Sequence, residues 1–522
     1  MRTESPENVL FVVMDTVRKD RLTPYGYDRP TTPHLADFAE EATVFEGAVA
    51  PAPWTLPVHA SLFTGLYPSQ HGADQENPYL EDATTLAETL SAAGYDTACY
   101  SSNAWITPYT HLTDGFDDQD NFFEVMPGEF LSGPLARAWK AMNDNESLRT
   151  VADKLVSLGN TAHEYFAGGE TADSKTPAVI DRTMEFIDSA DRSFAFINLM
   201  DAHLPYHPPE EFASEFAPGV DSDDVCQNSK EYNAGARDID DEEWDAIGGL
   251  YDAEIAHIDD QLGRLFDWLK AEGKWDDTMV VVCADHGELH GEHDLYGHEF
   301  CVYDPLINVP LLVKHPDLDA DRRGDQVELL DLYHTVLDVL DVSGDGVAAD
   351  DSTANSATDG AVPLDPTRSL VSDSYREFGG VADAERDPGQ RGDGEYAFVE
   401  YSRPVVELNQ LEEKAADAGI DIPSDSRFYS RMRAARRTDA KYVRIDRIDD
   451  EAYRLDSDPG ETDDLAGGDD PAILETESVL SAFESSIGSA WTDALDDDVS
   501  DDTVGEMDDD AQKRLRDLGY LE

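Results

Sequence analysis

The chain has 522 residues, 40% of them hydrophobic, and its 38 basic against 113 acidic residues give a formal net charge of -75. Length alone calls for one large domain with a smaller companion, or for two domains. The charge balance excludes the clustered Lys and Arg that a nucleic acid requires, so none is expected as a partner, and anionic membrane surfaces are disfavoured likewise. Aromatic and β-branched residues between the acidic stretches argue for a packed core rather than disorder. Carboxylates at this density need salt to screen them, which implies a high-salt cytoplasm, as in halophiles.

In chain order, the polar start leads into "NVLFVVMDT", a continuous apolar run ending at Asp15. Continuous apolarity predicts a strand buried on both faces, as in a parallel sheet. "TTLAETLSAAGYDTACYSSN" reads as a helix ending at Gly94 and then a strand. "SFAFINLMDAH" is a second buried strand, ending at Asp201 and His203. The acidic stretch from Phe212 to Trp244 yields no pattern. Ile247, Leu250, Ile255, Ile258, Leu262, Leu265 and Leu269 then fall on one face of a long helix. "DDTMVVVCADHGE" and "VPLLVKHP" are further strands. Strands alternating with helices predict a doubly wound, mostly parallel α/β sheet, here over residues 7–343. The Gly- and Ser-rich acidic stretch 344–394 reads as a loop or linker. "EYAFVEYS", "MRAARRTDAKYVRID" and "EAYRLDSD" read as a small antiparallel unit over 395–465, followed by an acidic tail, 466–522, helical in parts. There are no internal repeats.

Cys99, Cys226, Cys283 and Cys301 form no CxxC pair, and Cys283 lies in an apolar run as a small buried hydrophobe. A disulfide framework is not expected in a chain of this length. "VLFVVM" is too short for a signal-peptide core, and no stretch approaches the ~18 apolar residues of a membrane span. A soluble, cytoplasmic protein is expected, with its oligomeric state open.

Sites in open α/β sheets form at the carboxyl ends of strands, so Asp15, His203 and Asp285 are expected in one cleft. Asp285 and His286 offer a hard oxygen and an imidazole nitrogen to a divalent metal. The run "DHGELHGEHDLYGHE" adds His290, His293 and His298, the first two as supporting groups or loop residues. In "PWTLPVHASLFTG", Thr55 is a candidate N-cap, with Pro57 tolerated in the first helical turn. His59 lies four residues on, so both project on one side of the helix start. The free amides there form an anion site, and a metal on the Thr55 oxygen would turn the hydroxyl into a nucleophile. Arg18, Tyr27 and Trp54 are further candidates for the cleft wall, whereas His34, His71 and His257 read as structural.

"TLPVHASLFTGLYPSQHG" resembles the signature of the sulfatase family within the alkaline phosphatase superfamily: Cys or Ser, x, Pro, x, Arg, an apolar segment with Thr-Gly, then Pro and His-Gly. "NVLFVVMDTVRKDRL", "HLPYHPP", "YDAEIAHIDDQLGRLFDWL", "DHGELHGEHDLYGHE", "DLYHTVLDVL" and "YRLDSDPGETDDL" resemble further family segments in the same order, from Asn8 to Leu465. The resemblance implies an α/β domain with a smaller C-terminal antiparallel unit, and one divalent metal (Mn, Zn, Ca or Mg). It places Asp15, Asp285 and His286 at metal-ligand positions and Thr55 at the nucleophile position, which also contacts the metal. His59 falls where the family has Arg, His203 on a histidine serving the substrate or leaving group, and His298 where many members have Lys.

Three departures bear on the substrate. Thr55 is not a formylglycine precursor, so formylglycine is not expected; the second Asp of the usual pair is Thr16; and the sulfate-holding Arg is His59. A threonine lacks the second hydroxyl through which hydrated formylglycine expels sulfate, and Thr nucleophiles occur in phosphodiesterase and phosphoglycerol-transferase relatives. The resemblance therefore implies an ester hydrolase acting through Thr55 on a phosphate or phosphonate ester, by hydrolysis or transfer. Its alternatives are a sulfuric ester hydrolase of arylsulfatase type and a non-catalytic metal-binding relative. The substrate is expected to be a small-molecule or a glycan- or lipid-linked anionic ester. The charge itself sets one outcome: the thermal midpoint should rise steadily with KCl concentration, and a midpoint insensitive to KCl would overturn the salt-screened surface.

Overall fold

The structure, a computed structural model, describes residues 8–122 except 76 and 82, then 174–342, 361–372 and 396–487. Eight strands form the main sheet: β1 (Asn8–Met14), β2 (Thr43–Val49), β3 (Asp96–Ser101), β4 (Asp118–Asn121), β5 (Ser193–Leu199), β6 (Thr278–Cys283), β9 (Asn308–Lys314) and β10 (Arg322–Glu328). Between β6 and β9 lies a small hairpin, β7 (Leu289–His290) and β8 (Tyr296–Gly297). The sheet order is β10-β2-β9-β6-β1-β5-β3-β4. All neighbours are parallel except where β9 runs against β6 and β2. The apolar runs form the centre: every residue of β1, β5 and β6 is buried. The sequence pattern missed β2, β4 and β10: β4 ("DQDN") and β10 are the two edge strands, with β4 and the start of β10 ("RRGD") polar and partly exposed, whereas β2 is buried along almost its whole length.

Helices flank this sheet in two groups. The helix α1 (Thr55–Thr64) touches α2 (Leu86–Ala92) and α5 (Asp331–Val339). The 31-residue helix α4 (Asp241–Ala271) packs on α3 (Thr176–Ser189), burying the expected Ile247-to-Leu269 stripe. Part of the expected 344–394 loop is anchored. Within 361–372, Arg368 bonds Asp331 at 2.6 Å and Glu328 at 2.8 Å, Ser369 donates to Asp338 at 2.7 Å, and Leu370 is fully buried. The remainder of that stretch and the tail beyond 487 lie outside the described residues.

The smaller unit is an antiparallel sheet of β11 (Ala397–Tyr401), β12 (Met432–Arg436), β13 (Lys441–Ile445) and β14 (Glu451–Tyr453). One more helix, α6 (Val405–Ala418), leaves β11, and α7 (Pro471–Ser486) covers the sheet, with Phe398 and Phe483 stacked at 4.0 Å. A buried ion cluster joins the unit to the main domain. Asp304 accepts from Arg436 at 2.7 Å and from Lys441 at 3.1 Å, while Lys441 also pairs with Glu461. Burial alone would raise the Asp304 carboxyl, but these cations hold it well below the usual range. Removing one partner leaves a buried charge uncompensated, so Lys441→Met should cost about 3–5 kcal/mol of unfolding free energy, read by denaturant titration in KCl.

Candidate active site

Parallel pairing sets the site. Val13 lies opposite Cys283 and Met14 opposite Leu199, so the chain leaves β1 and β6 at the same level and carries Asp15 and Asp285 out side by side. Thr16, at φ 58°, then turns the chain; this is a strained conformation for a β-branched residue. Its amide donates to Asp285 Oδ1 at 3.2 Å and its hydroxyl donates to the Ala202 carbonyl at 2.6 Å. The residue standing in place of the family's second Asp therefore spends its oxygen on the backbone. Gly287 is required beyond His286, because a Cβ there would lie 2.0 Å from the Pro305 carbonyl oxygen.

Asp15, Asp285 and His286 each present one ligand atom within 4.8 Å of the others. Amides from Asn103 (2.9 Å) and Asn198 (3.0 Å) hold Asp15 Oδ2, while Asp15 Oδ1 and Asp285 Oδ2 have no hydrogen-bond partner among the described residues. His286 Nδ1 donates to the Gly287 carbonyl at 3.0 Å, which leaves Nε2 a lone pair facing the carboxylates. Burial, and then the neighbouring His298, keep His286 well below the ordinary histidine range. Burial and the adjacent Asp15 push the Asp285 carboxyl well up. Two buried carboxylates with orphaned oxygens and a neutral imidazole make a donor set that fits a divalent cation.

Thr55 stands at this cluster, with Oγ1 3.4 Å from His286 Nε2 and 3.4 Å from Asn103 Nδ2. The expected cap is corrected: Trp54 is the N-cap residue and Thr55 the first helical residue, so its hydroxyl points to the cluster rather than back to an amide. No side chain caps the helix, and its first-turn amides retain their partial positive charge.

His59 is also corrected. The structure does not bring it to the cavity, because its Nδ1 donates to the Thr55 carbonyl at 2.9 Å and its ring packs on Phe63 and Phe196. It lies behind the ligands, 3.7 Å from Asp285 Oδ2, and burial lowers its pKa against the pull of Asp15. An uncharged ring cannot replace the family's arginine.

A cavity of 510 Å³ opens in front of Thr55, and His203, His298 and Trp54 are among the residues that line it. The rings of His203 and His298 are 5.2 Å apart, and His298 lies 4.5 Å from His286. Burial would lower His298, but Glu288, 3.1 Å from its Nδ1, and Glu299 push it up to about 9. The cavity's other cation is Lys230, paired with Glu299. It comes from the acidic stretch that showed no pattern, so no sequence signal marked it. Asn198, a lone amide inside an apolar strand, was such a signal. Arg18 and Tyr27 do not line the cavity; they pair with Asp20 and Glu292, and with Asp252. His290 bonds Tyr206 and His293 stacks on Tyr303, away from the ligands. The rings of His71 and His257 bond Ser61 and Ser174, and the main-chain amide of the exposed His34 donates to Asp259.

The sulfatase family model matches residues 7–342. The chain belongs to the sulfatase family, ester hydrolases of the alkaline phosphatase superfamily. It is 26% identical over 359 residues to the uncharacterized sulfatase YidJ of Escherichia coli (strain K12), covering 64% of this chain and 68% of that one. It is also 26% identical over 397 residues to the multifunctional alkaline phosphatase superfamily protein PehA of Trinickia caryophylli, covering 64% and 74%. In fold it is similar to the phosphonate monoester hydrolase of Agrobacterium radiobacter, with a TM-score of 0.62, 22% identity and coverage of 92% and 96%.

A cation held by the three ligands stabilises the fold by mass action. At a hundred times its Kd, Mn or Zn should add about 2.7 kcal/mol and raise the thermal midpoint. Asp15→Asn and Asp285→Asn should each abolish the rise, and a rise that survives both would overturn the ligand set.

Proposed function

We propose that the protein is a metal-dependent ester hydrolase whose nucleophile is the Thr55 hydroxyl, acting on a phosphate or phosphonate ester by hydrolysis or by transfer to an acceptor alcohol. The observation that carries this reading is the Thr55 hydroxyl itself, beside the ligand cluster at an uncapped helix start. Asp15, Asp285 and His286 would hold a divalent metal, which supplies Lewis-acid polarisation and lowers the hydroxyl pKa. Thr55 Oγ1, its proton given up to solvent, attacks phosphorus in line as the bond to the leaving oxygen breaks. The first-turn amides of α1 and the His298 imidazolium stabilise the added charge. His203 or His298 donates a proton to the leaving oxygen. Water or an alcohol then displaces Thr55 from the phosphothreonine. Such an ester is resolved by direct attack, whereas a threonine sulfate lacks the elimination route open to formylglycine.

A second reading, a sulfuric ester hydrolase, is favoured by the family match across the catalytic domain. The substrate in either case is a small-molecule or a glycan- or lipid-linked anionic ester. No helix among the described residues is long and apolar enough to cross a membrane. A cytoplasmic site in a salt-loving cell follows from the charge and is part of the proposal.

The test is a panel of aryl phosphate monoesters and diesters, phosphonates and sulfates, with Mn or Zn in high KCl. Thr55→Ala should lower kcat/KM roughly a thousandfold or more. An acid quench of the wild type should yield phosphorylated Thr55 by mass spectrometry. Undiminished turnover by Thr55→Ala overturns the nucleophile, and turnover of sulfates alone overturns the phosphorus substrate.

A further inference from the structure

Beyond the metal ligands, the cavity is lined by three carboxylates, Glu288, Glu299 and Glu407, against two cations, Lys230 and His298. That is one negative charge in excess, and two if His298 is neutral. The signs interleave. Glu288 and Glu299 flank His298 at 3.1 and 4.0 Å, Lys230 pairs with Glu299, and Glu407 accepts from Gln75 at 2.5 Å. Glu407 belongs to the first turn of α6, and Gln75 fixes that turn to the main domain by also accepting from the Val406 amide at 2.8 Å.

Two of these acids hold oxygens with nothing to accept from. Glu299 is 5% exposed and Glu288 0%, yet Oε2 of each has no hydrogen-bond partner among the described residues. Glu299 Oε2 lies 2.7 Å from where a Cβ on the cavity-lining Gly297 would sit, so it occupies the space a side chain would fill. A buried acceptor left unpaired is costly, and an ionised one more so. Trp54 and Trp105, edge to face at 5.8 Å, line the same cavity. Unpaired carboxylate oxygens, an excess negative charge and indole faces together match an organic cation that carries N–H donors.

We infer that the alcohol released by this enzyme bears a protonated primary amine, as in an amino alcohol or amino sugar, with the ammonium bound by Glu299 and balanced by Glu407. The inference rests on the ester-hydrolase reading of Thr55 and specifies its substrate. A second anion on the leaving group meets a negative wall. A neutral polyol supplies donors but no charge. A quaternary ammonium supplies charge but no donor, so each is a weaker match than a primary ammonium.

The experiment has two arms. In the first, aryl esters in high KCl establish which ester group turns over. Esters of that group with 2-aminoethanol, ethylene glycol, choline and glycolate are then compared on the metal-loaded protein. The 2-aminoethyl ester should exceed the 2-hydroxyethyl ester in kcat/KM by about tenfold or more, with the glycolate ester slowest. Glu407→Gln and Glu299→Gln should each bring that ratio close to one; the ratio is internal to each variant, and Glu407→Gln serves where loss of the Lys230 pair unfolds Glu299→Gln. A ratio near one in the wild type, or faster neutral, anionic or quaternary esters, overturns the inference while leaving the role of Thr55 intact. In the second arm, calorimetry needs no turnover. Glucosamine and 2-aminoethanol should bind more tightly than glucose and ethylene glycol, and Glu407→Gln should weaken them. If no aryl ester is hydrolysed, the Thr55 reading fails and this arm alone decides. Equal binding of amine and neutral probes then overturns the inference.

Discussion

Everything at this site depends on two carboxylates that burial forces together. Asp15 and Asp285 emerge from adjacent parallel strands, are fully buried, and direct one orphaned oxygen each toward a neutral imidazole. Like charges so placed are tolerable only with a cation or a proton between them. The surroundings serve that constraint. Asn198 on β5 and Asn103 in the loop after β3 hold Asp15, the strained turn at Thr16 aims its amide at Asp285, and Gly287 allows the close approach of the Pro305 carbonyl beside His286. Thr55 adds a hydroxyl to the same point from the start of a helix. The helix start and the Asp15, Asp285 and His286 cluster thus meet at one oxygen.

The use of positive charge is the second organising theme. With 38 basic residues against 113 acidic ones, most carboxylates cannot have a partner. Those in water need none, because solvent and salt screen them. Buried ones do, and the scarce cations are found there: Arg436 and Lys441 at the joint between the units, Arg368 on the returning segment, Lys230 and His298 in the cavity. The cavity's positive charge comes from Lys230 on the short helix Ser229–Asn233 and from His298 just after β8, each paired with glutamates, whereas burial in the aromatic core holds His59 on α1 below the ordinary histidine range.

Much of this was legible in the sequence. Buried strands announce themselves by unbroken apolarity, the helix Asp241–Ala271 by its spacing, and the metal ligands by acids and a histidine at the ends of apolar runs. The family pattern is read from the same residues, which is why the cluster of Asp15, Asp285 and His286 beside Thr55 was accessible without coordinates. β4 and β10 were not, because the edge strands lack the two-sided burial that writes an apolar run into the chain, and the buried β2 was not, because Glu46 and Gly47 interrupt its apolar run. Lys230 and Glu407 were not either. They reach the cavity from segments 177 residues apart, with no motif around them.

By itself, then, the sequence determined the fold class and a strongly acidic character through local periodicity and composition, and its resemblance to a known signature pointed to the family and to Asp15, Asp285 and His286 at the ends of β1 and β6. Only the tertiary structure decided where side chains point. It made Thr55 the first helical residue rather than the cap and turned His59 back onto its own helix and Phe196. It reversed β9 and set Lys230 and Glu407 on the wall of the cavity that Thr55 also lines. The physical reason is the same throughout: a side chain's direction is set by what packs against it, and here that comes from strands and helices far away in the chain.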